Sequence, residues 1–160
     1  MRILHVVSSW KGGDVRVAFD VSEELIRRGQ AVTIYATNLL RENADLRRKK
    51  ITTVTNFNIL FSLIAKKTKL YITPQLILTL KEIKQFDIIH LHGYRTFQNI
   101  ILHRYAGKCN VPYVLQAHGS IARKGKQRLK WFYDTIFGYQ LLRDASKVIA
   151  LSRVEAEQYR

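Results

Sequence analysis

Cysteine is nearly missing from this chain, with Cys109 the only one in 160 residues. A single thiol excludes an internal disulfide and any cysteine-based metal cluster, and a reducing cytoplasm is the expected compartment. Proline is scarce as well, at two residues, and no Ser/Gly-rich linker interrupts the sequence. A second domain within these residues is therefore not expected. Long apolar runs are absent. The longest, from Phe57 to Ala65, is broken by Asn58 and Ser62 and closed by Lys66 and Lys67. That is far short of the ~20 apolar residues a membrane-spanning helix needs. The opening Met1-Arg2-Ile3-Leu4 lacks the apolar stretch and cleavage site of a signal peptide. Acidic residues form the last shortage: twelve Asp and Glu against twenty-seven Lys and Arg, a formal net charge of +15. Such a balance implies an anionic partner, whether nucleic acid, a phospholipid surface or a phosphate-bearing substrate. It also fits half of a larger protein whose acidic counterpart lies elsewhere.

What is present is a folded chain, 47% hydrophobic and 11% aromatic, long enough to bury its own core. Arg2 to Ser8 is an apolar, β-branched run of the kind expected for a buried parallel strand. After Gly12-Gly13-Asp14, apolar residues recur at helical spacing through Val17, Ala18, Val21, Leu25 and Ile26. Arg27 and Arg28 suit a helix C-terminus, and Gly29 suits the residue just past it. Ala31 to Ala36 reads as the second strand, completing a βαβ unit. Ile51 to Thr55 reads as a short third. Thr73-Pro74 predicts a capped helix start, with the helix running through Leu76, Ile77, Leu80 and Ile83. Asp87 to Leu91, Pro112 to Ala117 and Lys147 to Leu151 are further strands. Helices are expected over Thr96 to Ala106, up to about Arg143, and after Ser152. This alternation predicts an α/β fold: a doubly wound, mostly parallel Rossmann-like sheet forming a single domain over residues 1–160.

In such sheets ligands bind beyond the carboxyl ends of the strands. Three exits carry distinctive residues: Ser9-Trp10-Lys11-Gly12-Gly13, His92-Gly93-Tyr94-Arg95 and His118-Gly119-Ser120. Glycine there permits close backbone approach, and the helix N-termini behind these loops offer free N–H groups to a phosphate. The first loop is neither a G-x-G-x-x-G dinucleotide loop nor a P-loop, since no Gly-Lys-Ser/Thr occurs. A tight turn at the paired glycines is the plain alternative. His5 and His90, inside apolar strands, read as packed sheet residues. His92 and His118, at exits, read as ligand-facing. His103 reads as a surface residue on its helix. Trp131-Phe132-Tyr133 reads as core packing rather than a sugar platform. The cations Arg123, Lys124, Lys126, Arg128 and Lys130 suit either anionic lipid headgroups or a solvated face.

Four segments together resemble glycosyltransferase family 4. They are the Gly-Gly loop between strand and Arg28-Gly29 helix, the Asp87-Ile88-Ile89-His90-Leu91-His92-Gly93 stretch, Pro112 to Gly119, and Ala145 to Ser152. The resemblance implies the acceptor-side half of a two-domain GT-B enzyme, with the donor-binding C-terminal domain absent and the chain alone inactive. The whole enzyme would transfer a hexose from a nucleotide-sugar, with retention and without a metal, to a glycan, lipid or small-molecule acceptor. By the same resemblance Gly12 and Gly13 approach the donor phosphates, and His118 serves the reaction centre. His92, Gly93, Tyr94, Arg95 and Gly119 form the acceptor and sugar pocket. No metal site, cofactor or nucleic acid is expected, and the location would be cytoplasmic, peripheral to the membrane through Arg123 to Lys130. A basic nucleic-acid-binding module and a stand-alone α/β nucleotide-binding protein are the competing readings. No helix-turn-helix, RNP-type, KH or zinc-ligand signature supports the former.

Overall fold

The computed structural model describes residues 1–8, 13–37, 53–57, 72–122 and 125–159. Six strands form one parallel sheet: β1 (Arg2–Val6), β2 (Ala31–Thr37), β3 (Thr53–Phe57), β4 (Ile88–His92), β5 (Tyr113–Gln116) and β6 (Lys147–Ile149). Their order is β3-β2-β1-β4-β5-β6, and every neighbouring pair is parallel. That is the Rossmann order, in which the chain reverses its direction of travel between β1 and β4. The predicted doubly wound sheet is what forms. The reversal between β1 and β4 positions the site, because crossovers diverge there and leave a crevice at the strand ends.

Helices cover both faces. α1 (Gly13–Arg27) buries Val15, Ala18 and Phe19 against Ile3, Val7, Val32, Ile34 and Ala36. It ends as its sequence predicts. Gly29 takes φ 77°, its N–H reaches Ile26 and that of Gln30 reaches Leu25, the paired bonds of a Schellman motif. The opposite face packs Leu4, Val6, Ile89, Leu91 and Leu115 under Leu76, Leu80, Ile83 and Leu102. These come from the helix Pro74–Gln85 and from α2 (Phe97–Cys109). Alternation of side chains along each strand sends odd and even positions to these two separate cores.

Two local expectations change. Pro74–Gln85 is a helix, but wound as 3₁₀ over 12 residues, and Thr73 makes no side-chain cap. Thr73 is instead fully buried and accepts a hydrogen bond from Gln98 at 3.3 Å. The true side-chain cap in this region is Thr96, whose hydroxyl accepts from Asn99 N–H at the start of α2. That helix also runs past Gly107 to Cys109, and stops at Asn110 in the left-handed region.

The last third of the chain forms α3 (Gln127–Tyr133), a π turn (Asp134–Gly138), α4 (Tyr139–Arg143) and α5 (Arg153–Gln158). Gly138 cannot carry a side chain here, since a Cβ would stand 2.2 Å from the Tyr94 hydroxyl. Trp131 and Phe132 are 56% and 58% exposed, which overturns their expected place in the core. Tyr133 alone of the three turns inward, edge-on to Tyr94 at 6.2 Å. His103 is not a surface residue either. Its ring lies half-buried against Tyr113, and its Nε2 is 2.9 Å from the Asp144 carboxylate.

Candidate active site at the sheet switch point

His5 on β1 and His90 on β4 are register partners in the sheet. His92, two residues on, shares the face of His90, and His118 follows β5 on the same side. The result is a row of imidazoles running outward from the core along the switch point. His5 Nδ1 lies 2.9 Å from His92 Nε2, and His92 Nδ1 lies 3.0 Å from His118 Nε2. Their rings stack with centroids 5.2 Å apart at each step. His90 packs beside the row, 4.1 Å from the His92 ring. His5 and His92 are fully buried and His90 nearly so, whereas His118 is partly open at the rim.

Burial decides their charge. Desolvation holds His5 down to about 3 and His90 to about 4, each helped by a neighbouring histidine. It holds His92 well below the ordinary value, with His90, His5 and His118 adding to the effect. At neutral pH these rings are therefore uncharged hydrogen-bonding groups. His118 is also lowered by desolvation, but Asp14 and Glu155 pull against it. Asp14 sits in the first turn of α1, which begins at Gly13, so a carboxylate at that helix N-terminus acts on His118 through its charge.

The loop carrying His118 is shaped by its backbone. His118 and Gly119 have φ of 53° and 74°, and Ser120 N–H reaches Ala117 C=O at 3.1 Å. Two successive positive φ angles closed by that bond make a type I′ turn. A histidine held left-handed costs about 1–2 kcal/mol, which the surroundings must supply. They do so from α5. Glu155 accepts from Gly119 N–H at 2.6 Å and from Leu151 N–H at 2.7 Å, while the Tyr159 hydroxyl accepts from Ala117 N–H. Ser152 caps α5 by accepting from Glu155 N–H. Nothing in the sequence marks Glu155 and Tyr159 as part of a site, although Ser152-x-x-Glu155 is a capping-box spacing that marks the helix start.

The other expected site residues divide. Gly93 joins the row, its N–H bonded to Gln116 C=O across β4 and β5. Gly12 lies outside the described residues, as do Arg123 and Lys124. Tyr94 is 2% exposed and points into the core rather than into a pocket. Arg95 is taken up by the protein itself. Its guanidinium holds both Asp134 carboxylate oxygens, at 2.9 and 2.7 Å, and reaches the carbonyls of Ser120 and Ile121. Arg95 thus ties the β4 exit to the β5 exit and to the π turn.

Among the described residues, one grouping could hold a metal ion: nitrogens of His5, His90 and His92 lie within 4.8 Å of one another. Spacing along the chain hides it, because β1 and β4 are far apart in sequence. Nε2 of His5 and Nε2 of His90 meet no hydrogen-bond partner among these residues. A cavity of about 300 Å³ lies at the opposite end of β5, lined by His103, Asn110, Pro112 and Asp144, and is remote from the row.

Known structures share this architecture. HepE (Alr3699) of Anabaena, in complex with UDP and glucose, superimposes with a TM-score of 0.73 at 17% identity, covering 99% of this chain and 40% of that one. UDP-GlcNAc 2-epimerase from Neisseria meningitidis, bound to UDP-GlcNAc, gives 0.64 at 16% identity, over 99% of this chain and 43% of that one. MurG of Acinetobacter baumannii gives 0.60 at 20% identity, over 92% and 40%. The chain therefore spans less than half the length of each of these proteins. No curated protein is significantly similar in sequence. The sequence profile of Glycosyltransferase Family 4 matches residues 11–160, nearly the whole chain. That match covers nearly the whole chain and agrees with the Rossmann order of its sheet, and the chain belongs to glycosyltransferase family 4.

Proposed function

We propose that this chain is the acceptor-side half of a retaining, metal-independent glycosyltransferase that moves a hexose from a nucleotide-sugar to a glycan, lipid or small-molecule acceptor. The observation that carries the reading is the neutral imidazole row ending in His118 at the crevice, where Asp14 at the N-terminus of α1 acts on it. Neutral imidazoles suit sugar hydroxyls, which both donate and accept. A helix N-terminus suits diphosphate oxygens. HepE and the epimerase were solved with uridine nucleotides or nucleotide-sugars, which supports the same ligand class. Gly12 and Gly13 would approach the phosphates, His118 the transferred sugar, and Gly93 and Gly119 the pocket wall. Tyr94 and Arg95 would act from beneath, by holding that wall in place. Nucleic acid has no part in this reading.

The test is the initial rate with a panel of nucleotide-sugars, for this chain alone and joined to a donor-binding half. The chain alone should transfer nothing measurable. The joined enzyme should be indifferent to chelator and retain configuration. His118→Ala should lower its turnover by about 10²–10³-fold, the scale of one positioned donor at a developing charge. His103→Ala, at the other end of β5, should leave the rate per folded molecule unchanged. Chelator-sensitive transfer, or full activity in His118→Ala, would remove the mechanism.

A second surface bears on where the enzyme works. Along the exposed side of α3, the π turn and α4, Leu129, Phe132, Ile136 and Tyr139 recur at three- and four-residue spacing, with Trp131 beside them. Lys126 and Arg128 are exposed at the same end. Apolar and aromatic groups flanked by cations fit the interface of an anionic bilayer. Among the described residues no helix is long and apolar enough to cross a membrane, so the contact proposed is peripheral, at the cytoplasmic face. Vesicles containing anionic lipid should sediment the chain, and neutral vesicles should not. The paired substitution Trp131→Ser and Phe132→Ser should weaken this binding by about tenfold or more, given roughly 1.5–3 kcal/mol per large apolar side chain removed from water. Equal binding to neutral vesicles, or none to either, would count against it.

A further inference from the structure

The row of histidines has a sense of direction. Two neutral imidazoles joined nitrogen to nitrogen need one donor and one acceptor, so the tautomer of one fixes that of the next. Three rings joined this way have two neutral arrangements. In the first, His118 donates inward from Nε2 and His92 donates from Nε2 to His5. His5 is then left with an N–H at Nε2, buried and facing no acceptor among the described residues. In the second, His5 donates from Nδ1 to His92 Nε2, and His92 donates from Nδ1 to His118 Nε2. His5 then keeps only a lone pair at Nε2, and His118 carries its proton on Nδ1.

A buried N–H without an acceptor is the rarer defect in folded proteins, which favours the second arrangement. Asp14 on α1 and Glu155 on α5, the acids that act on the outer end, favour the charged form of His118 and do not choose between its two nitrogens. Gln116 of β5 occupies His90 by a hydrogen bond, so His90 flanks the row without closing it. The left-handed backbone at His118 is held by three bonds, one within its turn and one each from Glu155 and Tyr159, and its ring is held to His92 through Nε2.

We propose that His5 and His92 are positioning residues that set the tautomer of His118, giving it a fixed outward N–H at Nδ1 as a donor to an oxygen of the bound ligand. What that donor meets rests on the sugar-transfer reading, whereas the tautomer can be measured without it. No side chain outside the core would need to move, and the row carries no net charge in this state. Its function is to deny His118 the choice of which nitrogen is protonated.

The experiment is a long-range ¹H–¹⁵N correlation spectrum of the uniformly labelled 160-residue chain at neutral pH, with resonances assigned through single histidine substitutions. His5, His92 and His118 should all appear neutral with the proton on Nδ1. His5→Leu removes the first donor, and the Nδ1-H to Nε2-H ratio at His118 should fall roughly fivefold, the scale of one net hydrogen bond. His5→Asn puts an amide N–H where Nδ1–H stood, and should restore the wild-type ratio. A proton on Nε2 of His118 in the wild-type spectrum overturns the proposal, and that result needs no variant to fold. So does an unchanged His118 tautomer in a folded His5→Leu chain. A stoichiometric, chelator-reversible shift of His5, His90 and His92 on adding zinc ion would also overturn it, by making the cluster a metal site. None of these results depends on whether the joined enzyme transfers a sugar.

Discussion

Replacing Asp134 with alanine should destabilise the chain by about 3–5 kcal/mol, the cost of stranding one partner of a buried ion pair. The side chains of Asp134 and Arg95 are only 3% and 12% exposed. The Asp134 carboxylate meets Arg95 through two nitrogens, at 2.9 and 2.7 Å. Without it a guanidinium remains in the core with no carboxylate partner among the described residues, left to the carbonyls of Ser120 and Ile121 and the face of Tyr94. Solvent screening, which reduces most surface pairs to little, has no access here. Arg95→Met combined with Asp134→Leu should cost less than Asp134→Ala alone, because no unpaired charge is left behind. The measurement is urea unfolding followed by circular dichroism, with the midpoint and slope compared across the three chains. A loss under about 1 kcal/mol for Asp134→Ala would show the pair to be a surface-like contact, and Arg95 would again be a group free to meet a substrate.

That ion pair also shows why part of the site is not legible from sequence. Arg95 stands at a strand exit, where the crevice rule makes any cation a ligand candidate. Its partner lies 39 residues away in a π turn that no local spacing announces. Tyr94 is hidden for the same reason, since its seat is a gap left by the missing side chain of Gly138. Strands β1, β2, β4 and β5, by contrast, are legible because they are largely buried and so appear as short, mostly apolar runs. Helix α1 is legible from its period and its Arg28-Gly29 ending. The α3 stretch misleads because aromatic residues at helical spacing normally mark the inner face, whereas here the inner face is the buried Asp134, Gly138 and Leu141. A carboxylate and a glycine leave the core side with little apolar signature.

His5 illustrates an intermediate case. The expectation that it is a packed strand residue is correct, since it is fully buried. What one strand cannot reveal is which neighbour it meets. Once β1 is placed next to β4, as the Rossmann order requires, His5 and His90 fall in register and His92 follows by alternation. The row is thus a consequence of strand order plus three histidines of matching parity. His118 joins because its turn folds back under the hold of α5.

Acidification should therefore unfold this chain early, and the buried histidines should be the cause. His5 is held down to about 3, His90 to about 4 and His92 well below its ordinary value, with burial the leading cause for each. In the unfolded chain each returns to about 6.5. Below that value the unfolded chain takes up protons that the folded chain refuses, so acid favours unfolding. The stabilising contribution is complete above about pH 6.5 and is lost as pH falls toward about 4 for His90 and toward about 3 for His5. At roughly 1.4 kcal/mol per pKa unit, the three together reach several kcal/mol, a large share of the 5–15 kcal/mol typical of a domain. Asp14 and Glu155, the acids facing the outer end of the row, act on His118 in the opposite sense, so the inner rings set the slope. Stability from urea titrations should fall steadily from about pH 6.5 downward, and His5→Asn should make that fall shallower by removing one proton site from the unfolded chain. If stability stays level between about pH 7 and about pH 5, the inner imidazoles are already charged or reachable by water, and a neutral row leading to His118 is not what this sheet contains.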